Sequence, residues 1–336
     1  MTDAAIKNTK SENGKPEILL QAENLSKEFD TGKKDSKIHA VSNVDLEIRR
    51  GETLALVGES GCGKSTLGRT LIKMLPATGG RVLFHGEDIT AMSEKEFRPL
   101  RRKMQMIFQD PYASLDPRMT VRNIIAEPLV TYHVCANKKE TTARVLELMQ
   151  AVGVPTEFLD RYPHQFSGGQ RQRIGIARAI ALNPELIVCD EPVSALDVSV
   201  QSQVLNLLKD LQQQYSLTYL FIGHDLSVIN FIADRVCVMF LGSVCEIASK
   251  EDIYAKPMHP YTSFLLDAIP QADPHLRNEH RQVLTGEVPS PVHLPEGCFF
   301  HTRCPYATDR CRKERPALRV VKGRQVACHR AEELEL

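Results

Sequence analysis

Apolar residues along the chain fall into two patterns, short continuous runs and longer stretches with helical spacing. Runs that are apolar at almost every position are typical of strands covered on both faces of a sheet, and they occur at residues 53–57, 186–189, 218–223 and 236–240. Apolar residues spaced three or four apart predict helices at residues 64–74, 140–153, 170–182 and 198–215. Because these strands and helices alternate, the sequence predicts right-handed βαβ units around a mostly parallel sheet, which is an α/β fold.

Shorter apolar runs separated by polar turns lie between and before these elements. Residues 18–48 predict antiparallel strands joined by a loop at 31–37, and residues 81–89 predict a second strand pair with its turn at 85–88. Residues 1–16 are polar and lack the apolar segment of a secretory signal, so we expect a flexible tail there. Proline, histidine and arginine become frequent beyond Lys256, which predicts a domain boundary between residues 17–255 and 256–336.

The charge balance limits the classes of function. The 336 residues include 42 Lys and Arg and 42 Asp and Glu, a balance that disfavours a nucleic-acid binder working through a basic face. The apolar stretch at residues 217–245 is interrupted by His224, Asp225, Asp234 and Arg235, which excludes a membrane span. A function at a membrane would therefore be exerted from its side.

The segment after the first buried run fits the phosphate-loop pattern G-x-x-x-x-G-K-[ST]; it consists of Gly58, Glu59, Ser60, Gly61, Cys62, Gly63, Lys64, Ser65 and Thr66. It follows a predicted strand and opens a predicted helix, which is the context such a loop requires. Its glycines let backbone N–H groups converge on one anion, and the helix N-terminus adds partial positive charge. We expect Lys64 to reach the terminal phosphates of a nucleotide and the Ser65 hydroxyl to bind Mg²⁺.

Two carboxylates, Asp190 and Glu191, directly follow the buried run at 186–189. Ligands of open α/β sheets bind beyond the carboxyl ends of the strands, so both are expected near the phosphate loop. Asp190 is expected in the Mg²⁺ shell, and Glu191 is the candidate that polarises the attacking water. Acidic pairs after strands also cap helices, and the phosphate loop upstream is what favours the catalytic interpretation.

A second phosphate site is predicted in the segment FSGGQRQRIGIARAI at residues 166–180, where Ser167, Gly168, Gly169 and Gln170 begin a helix. The segment resembles the signature of ABC ATPases, with Phe166 where Leu is more usual. The resemblance implies a P-loop NTPase of the ABC type, with a RecA-like core, an antiparallel β subdomain and a helical subdomain, followed here by a small C-terminal extension. It also implies two such domains paired head to tail, each signature closing on the other chain's nucleotide.

Four further positions match the same family. Gln109 resembles the Q-loop residue that senses Mg²⁺ and water and couples to the membrane subunit. Residues 194–197 resemble the D-loop, in which Asp197 would also cap the following helix. His224 resembles the switch histidine that contacts the terminal phosphate. Phe29 resembles the aromatic residue that stacks on adenine, although the family usually carries Tyr there and a lone Phe also fits a core position.

Several segments resemble the ATPases of dipeptide/oligopeptide importers: QDPYASLDPR at 109–118, HPYTSFLLDAIP at 259–270, GEVPSP at 286–291 and GCFFHTRCP at 297–305. The resemblance implies an ATP-hydrolysing subunit that powers peptide import, although related subunits serve nickel or glutathione. It implies as partners a second ATPase subunit, expected to be a paralogue, two transmembrane permeases and an extracytoplasmic substrate-binding protein, with no nucleic acid. The chain is then expected as a peripheral subunit at the cytoplasmic face of the inner membrane.

Four of the nine cysteines, Cys298, Cys304, Cys311 and Cys328, crowd into the last part of the chain with the spacing C-x5-C-x6-C-x16-C. Four thiolates can hold zinc or an iron–sulfur cluster, and this spacing is not that of a zinc ribbon. Some ATPases of the importer family carry a [4Fe–4S] cluster in this extension. Such a cluster is therefore the expected occupant, ahead of free thiols and zinc, and it would be structural.

Two other functions compete with transport. An ABC ATPase of DNA maintenance would carry long heptad coiled coils between Lys64 and Ser167, and one acting in translation would carry two nucleotide domains; the sequence has neither. A regulatory module without turnover would not need Glu191 and His224. The expected cycle is closure of two paired domains on ATP, which pulls on permeases docked near Gln109, and resetting by hydrolysis at Glu191.

Overall fold

The structure is a computed structural model in which residues 16–32, 36–269 and 286–336 are described. The predicted flexible tail at residues 1–16 lies almost wholly outside the described residues. The strands are β1 Ile18–Asp30, β2 Lys37–Arg49, β3 Thr53–Val57, β4 Gly79–Phe84, β5 Glu87–Asp88, β6 Met104–Ile107, β7 Leu186–Asp190, β8 Thr218–Ile222, β9 Arg235–Phe240, β10 Ser243–Ser249, β11 Arg319–Val321 and β12 Arg324–Val326. The helices are α1 Lys64–Leu71, α2 Glu94–Phe97, α3 Val121–Thr131, α4 Lys138–Ala151, α5 Gly168–Ile180, α6 Val198–Tyr215, α7 Leu226–Ile232, α8 Lys250–Ala255, α9 Pro260–Asp267 and α10 Asp309–Lys313.

The described strands form two sheets. The larger sheet has eight strands in the order β11-β12-β10-β9-β3-β8-β7-β6, and the smaller has four in the order β2-β1-β4-β5. In the larger sheet β6, β7, β8, β3 and β9 are parallel, while β10, β12 and β11 continue it antiparallel. The predicted parallel core is therefore confirmed, and the antiparallel strands predicted at residues 18–48 form β1 and β2.

The parallel strands separate two hydrophobic cores. On β3, Ala55 and Val57 face a core shared with α3 to α6, while Leu54 and Leu56 face a core shared with α1 and the smaller sheet. All five residues of β3 are buried. Because both faces of the strand are covered, its sequence shows no polar alternation, which is why the apolar runs predicted these strands correctly.

The predicted helices differ from the observed ones mainly at their ends. The helix at 198–215 has the predicted bounds, whereas the helix expected from residue 170 begins at Gly168, because Ser167 caps it. The helix expected at 64–74 ends at Leu71, and Lys73 already has a left-handed φ of 54°.

The part of the chain beyond Lys256 continues the larger sheet. Strand β12 pairs with β10, where Glu246 lies opposite Val326, and α9 packs beside β10. An aromatic cluster joins the two parts of the chain, with the ring of Phe240 4.8 Å from that of Tyr261 and 5.3 Å from that of Phe300. Within the described ranges no helix is long and apolar enough to cross a membrane.

Candidate active site

The phosphate loop runs from the end of β3 to the start of α1. Gly58 has a φ of 153°, and a Cβ there would lie 2.2 Å from the carbonyl oxygen of Met239. Gly63 has a φ of 100°, and its Cβ would lie 2.0 Å from the carbonyl oxygen of Ala40. Both positions therefore exclude any side chain, since the strands around the loop approach its backbone directly.

The ammonium of Lys64 lies inside this loop. Its Nζ donates to the carbonyl oxygens of Gly58 at 2.8 Å and of Glu59 at 3.0 Å, and the residue is only 5% exposed. The loop thus holds a buried positive charge at the N-terminus of a helix. A polyphosphate bound there would exchange these carbonyl acceptors for its own oxygens.

A pair of oxygen ligands lies next to the loop. The hydroxyl of Ser65 donates to Oδ1 of Asp190 at 2.6 Å, and Arg69 Nη2 donates to Oδ2 of the same carboxylate at 3.1 Å. Asp190 is fully buried at the end of β7. A carboxylate and a hydroxyl oxygen in contact fit the preference of Mg²⁺ for oxygen ligands.

Three polar residues converge beyond the ends of β6, β7 and β8, which are neighbours in the sheet. Glu191 Oε2 accepts from Gln109 Nε2 at 2.9 Å and lies 3.4 Å from His224 Nδ1. Glu191 has a left-handed φ of 45°, and its N–H donates to the carbonyl of Ile222 at 3.0 Å. Backbone strain of this kind at a non-glycine residue concentrates at functional sites, and here it turns the carboxylate toward both neighbours.

The signature segment lies at the start of α5. Ser167 Oγ accepts from the backbone N–H of Gln170 at 3.3 Å, and the Gln170 side chain accepts from the N–H of Ser167 at 3.1 Å, which is a capping box. A Cβ on Gly169 would lie 2.4 Å from Val200 Cγ1 on α6, so this glycine is also required for helix packing. Sequence reasoning missed that packing requirement.

Asp197 caps α6 by accepting from the N–H of Val200 at 3.0 Å, as its alternative interpretation predicted. In the described part of the chain, no hydrogen bond joins the signature residues to the phosphate loop. The structure therefore does not bring Ser167 together with Lys64 within one chain.

Phe29 lies at the end of β1 with its side chain outside both hydrophobic cores. The residue is 36% exposed, and Lys27 Nζ lies 4.9 Å from its ring centroid. One face of the ring thus contacts a cation, and the exposure leaves room for a second planar partner.

Comparison with known proteins identifies the family. Residues 41–194 match the ABC transporter family, and residues 245–311 match the family described as Oligopeptide/dipeptide transporter, C-terminal region. The chain is 55% identical over 313 residues to the putative oligopeptide transport ATP-binding protein YkfD of Bacillus subtilis, with 93% of this chain and 95% of that protein covered. The chain belongs to the ATP-binding subunits of ABC transporters.

Other similarities agree with this assignment. A putative peptide import ATP-binding protein of Brucella ovis is 51% identical over 313 residues, covering 93% of this chain and 98% of its own length. The dimeric, post-hydrolysis structure of the ATP-binding cassette MJ0796 with ADP and phosphate matches with a TM-score of 0.63 at 30% identity, covering 69% of this chain and 99% of its own. The cbiO1 subunit of a Clostridium perfringens ABC transporter matches with a TM-score of 0.63 at 28% identity, covering 71% and 91%. The ABC-type P-loop NTPase fold is confirmed, and an ABC domain implies ATP and Mg²⁺.

The tail cysteines of this ABC subunit lie around one small cavity. It measures about 20 Å³ and is lined by Cys298, Cys304, Cys311 and Cys328, with His301 and His329 beside them. Burial raises the pKa of Cys298 to about 12 and that of Cys304 to about 11, and the neighbouring cysteines add to both shifts. The cavity has room for roughly one water molecule.

Across the described ranges, no group of three or more His, Cys, Asp or Glu side chains has the arrangement needed to hold a metal ion. The four cysteines therefore converge without forming a finished metal site, and the expected iron–sulfur cluster has no preformed cavity of its own size. The crowding of the four cysteines and the family resemblance predicted a shared site, but neither carries information on side-chain direction.

Two contacts between the ABC core and the tail have no signal in the sequence. The N–H of Glu59 in the phosphate loop donates to the hydroxyl of Tyr261, and the carboxylate of Glu59 accepts from Arg303. These partners are 202 and 244 residues away along the chain. Only the folded arrangement reveals them.

Proposed function

We propose that this chain is the ATP-hydrolysing subunit of a membrane importer for dipeptides or oligopeptides. The observation that carries the proposal is the convergence of a phosphate loop, an oxygen pair and a polar triad at neighbouring strand ends. Ser65 and Asp190 supply the oxygen pair, and Glu191 joins Gln109 and His224. The printed names of the relatives, which refer to oligopeptide transport and peptide import, support the cargo class.

The contacts of the site and the family motifs support the following roles. Residues 58–66 wrap the phosphates, Lys64 exchanges its carbonyl partners for phosphate oxygens, and Phe29 stacks on adenine. Ser65, Gln109 and Asp190 would hold Mg²⁺, which would supply charge neutralisation at the phosphates. Glu191 polarises the attacking water while Gln109 and His224 orient its carboxylate, and His224 also contacts the terminal phosphate.

A second ATP-binding subunit completes the site. Ser167, Gly168, Gly169, Gln170 and Asp197 lie at helix starts that make no hydrogen bond to the phosphate loop in the described chain. We propose that they close on the nucleotide of a partner ATPase, which is a paralogue of this chain. ATP bridged by both subunits favours the closed pair, because it contacts both subunits only in that conformation.

The membrane partners are proposed to dock beside Gln109. A groove of about 790 Å³ lies there, lined by Met74, Arg101, Tyr132 and Arg178 among others. Met74 is 49% exposed, and the Arg178 guanidinium, whose pKa is lowered by burial, donates to the carbonyl of Ser114 at 2.7 Å. An exposed apolar side chain and two arginines lining the same groove suit a short helix of a permease with an apolar face and a C-terminal or acidic end.

The whole assembly is proposed to contain two permeases and an extracytoplasmic substrate-binding protein, without nucleic acid. This chain would then lie as a peripheral subunit at the cytoplasmic face of the inner membrane. Residues 17–255 would form its nucleotide-binding domain and residues 256–336 its C-terminal extension.

We also propose that Cys298, Cys304, Cys311 and Cys328 take up a [4Fe–4S] cluster. Support comes from four thiols around one cavity, one buried and three half-buried, where several thiolates would be unstable unless cations neutralised them. Binding requires the cavity to widen. Anaerobically purified protein should contain iron and acid-labile sulfide and absorb visible light, and C311S should lose all three. Zinc, or no metal at all, would overturn this assignment.

The transport proposal is tested on the complete complex, purified with its partner subunits and reconstituted in vesicles. Addition of the binding protein with di- or oligopeptides should stimulate ATP hydrolysis and peptide uptake, and a K64A variant should abolish both. Stimulation by nickel or glutathione but not by peptides would assign a different cargo. Stimulation by DNA or ribosomes alone would refute the transport function.

A further inference from the structure

Glu59, the second residue of the phosphate loop, is held by the C-terminal extension at two points. Its backbone N–H donates to the hydroxyl of Tyr261 at 2.8 Å, and its carboxylate forms a two-pronged ion pair with Arg303. Its carbonyl oxygen accepts from Lys64, the residue that should bind phosphate. One residue thus connects the extension directly with the cation of the nucleotide site.

Tyr261 is rigidly placed. It lies on α9, is fully buried, and packs against Phe240 and Phe300 with ring centroids 4.8 and 5.3 Å away. Phe240 ends β9, which pairs with β3, the strand that leads into the phosphate loop. The hydroxyl that binds Glu59 is therefore fixed by the same sheet that positions the loop.

Arg303 is equally constrained. Its Nη1 donates to both carboxylate oxygens of Glu59, at 3.1 and 2.8 Å, and its Nη2 donates to Oε1 at 3.1 Å. The Arg303 side chain is only 6% exposed, and its guanidinium lies 5.9 Å from the ring centroid of Phe240. Arg303 is the charged partner of Glu59, whose own side chain is 26% exposed, and removing either member leaves the other charge without its partner.

The charge of Glu59 matters because the loop that carries it must accept a polyphosphate. A free carboxylate in that loop would repel the phosphates and would compete with them for Lys64. Arg303 neutralises the carboxylate and holds it in one place, and Tyr261 fixes the backbone on its other side. Among the described residues, the hydrogen bonds that Tyr261 and Arg303 make to the phosphate loop all go to Glu59, so both would act through it.

We propose that the C-terminal extension sets the nucleotide affinity of the phosphate loop, with Arg303 and Tyr261 as positioning residues. This inference rests on the proposed phosphate-binding role of residues 58–66. The extension then contributes to nucleotide binding as well as to the fold. Changes within it are transmitted to the ATP site through one side chain and one peptide N–H.

The test measures the affinity of the full-length chain for MgATP with a fluorescent nucleotide, and KM and kcat of the assembled complex. R303A should weaken MgATP binding about tenfold and raise KM, with little change in kcat. The loss that R303A causes in an E59Q background should be much smaller than the loss it causes in the wild type, because no carboxylate is then left without its partner. Y261F, which keeps the aromatic packing, should weaken binding by a few fold.

Controls separate this effect from folding and from the proposed phosphate site. R324A removes another partly buried ion pair of the extension, with Asp252, and should leave nucleotide affinity unchanged. If R303A does not fold, R303K keeps the charge without the two-pronged geometry and should show an intermediate KM. Equal losses for R303A with and without E59Q would overturn the inference. Unchanged binding by K64A would instead refute the phosphate-binding role itself.

Discussion

Replacing Glu191 by Gln gives the sharpest test of the hydrolytic site. The substitution keeps the length and shape of the side chain and its acceptor oxygen, but removes the negative charge that polarises water. The left-handed φ of 45° is imposed by the backbone, whose N–H is bound to Ile222, so E191Q requires no new backbone conformation. The side-chain amide oxygen of the variant can still accept the hydrogen bond from Gln109 Nε2, which lies 2.9 Å from the Glu191 carboxylate oxygen.

The expected loss is in the chemical step. General-base catalysis by a positioned side chain contributes about 10²- to 10⁴-fold, which corresponds to about 3–5 kcal/mol in the activation barrier. His224 cannot replace Glu191, since it lies 3.4 Å from the carboxylate and is itself oriented by it. Stability should change little, because only one charged hydrogen bond becomes a neutral one.

The assay is phosphate release by the complete complex, paired with MgATP binding by the variant chain. E191Q should lower kcat at least a hundredfold while the Kd for MgATP stays within about threefold of the wild type. E251Q is the matched control, because Glu251 on α8 is exposed and contacts none of the site residues. A kcat within tenfold of the wild type would refute the assignment of Glu191 as the base.

Three further predictions address the loop, the adenine site and the pH response. G63A should abolish MgATP binding or folding, since its Cβ would lie 2.0 Å from the carbonyl oxygen of Ala40. Nucleotide titration measures the binding, and thermal unfolding measures the folding. F29A should weaken MgATP binding by about 1–3 kcal/mol through lost stacking, and F29Y should retain it, as nucleotide titration would show. Burial lowers the pKa of His259 to about 3. As the pH falls below about 6.5, the unfolded state therefore binds a proton that the folded state does not, and the free energy of unfolding decreases by about 2 kcal/mol from pH 7 to 5. H259N keeps an acceptor for the N–H of Tyr261 and should flatten this dependence in urea unfolding.

The sequence predicts a nucleotide site from chemistry that is local. The phosphate loop is one continuous segment, and Asp190 and Glu191 follow one buried strand. A rule about strand ends predicts that they lie near the phosphate loop, and in the structure the Ser65 hydroxyl donates to Asp190. Gln109 and His224 needed the family resemblance, because single polar residues after a strand carry no distinctive pattern.

Other features could not be predicted, because they depend on residues far apart in the chain. The packing of Gly169 against Val200 involves two helices, and the signature glycines resemble a loop when read alone. Strands β11 and β12 are three residues each, too short for any alternation to show. The crowding of the cysteines suggested one shared site, but a metal site also requires side-chain directions that the sequence does not determine.

Hydrogen bonds from the extension to a buried carboxyl group of the core join the two parts of the chain. Glu246 on β10 is fully buried, and burial raises the pKa of its carboxyl group. Its two oxygens accept from the N–H groups of Met258 at 2.9 Å and His259 at 3.0 Å, both beyond the predicted boundary at Lys256. Without those donors the carboxyl group would be buried and unpaired, which is strongly unfavourable. The core therefore depends on the extension for Glu246, and through Glu59 the phosphate loop depends on it as well.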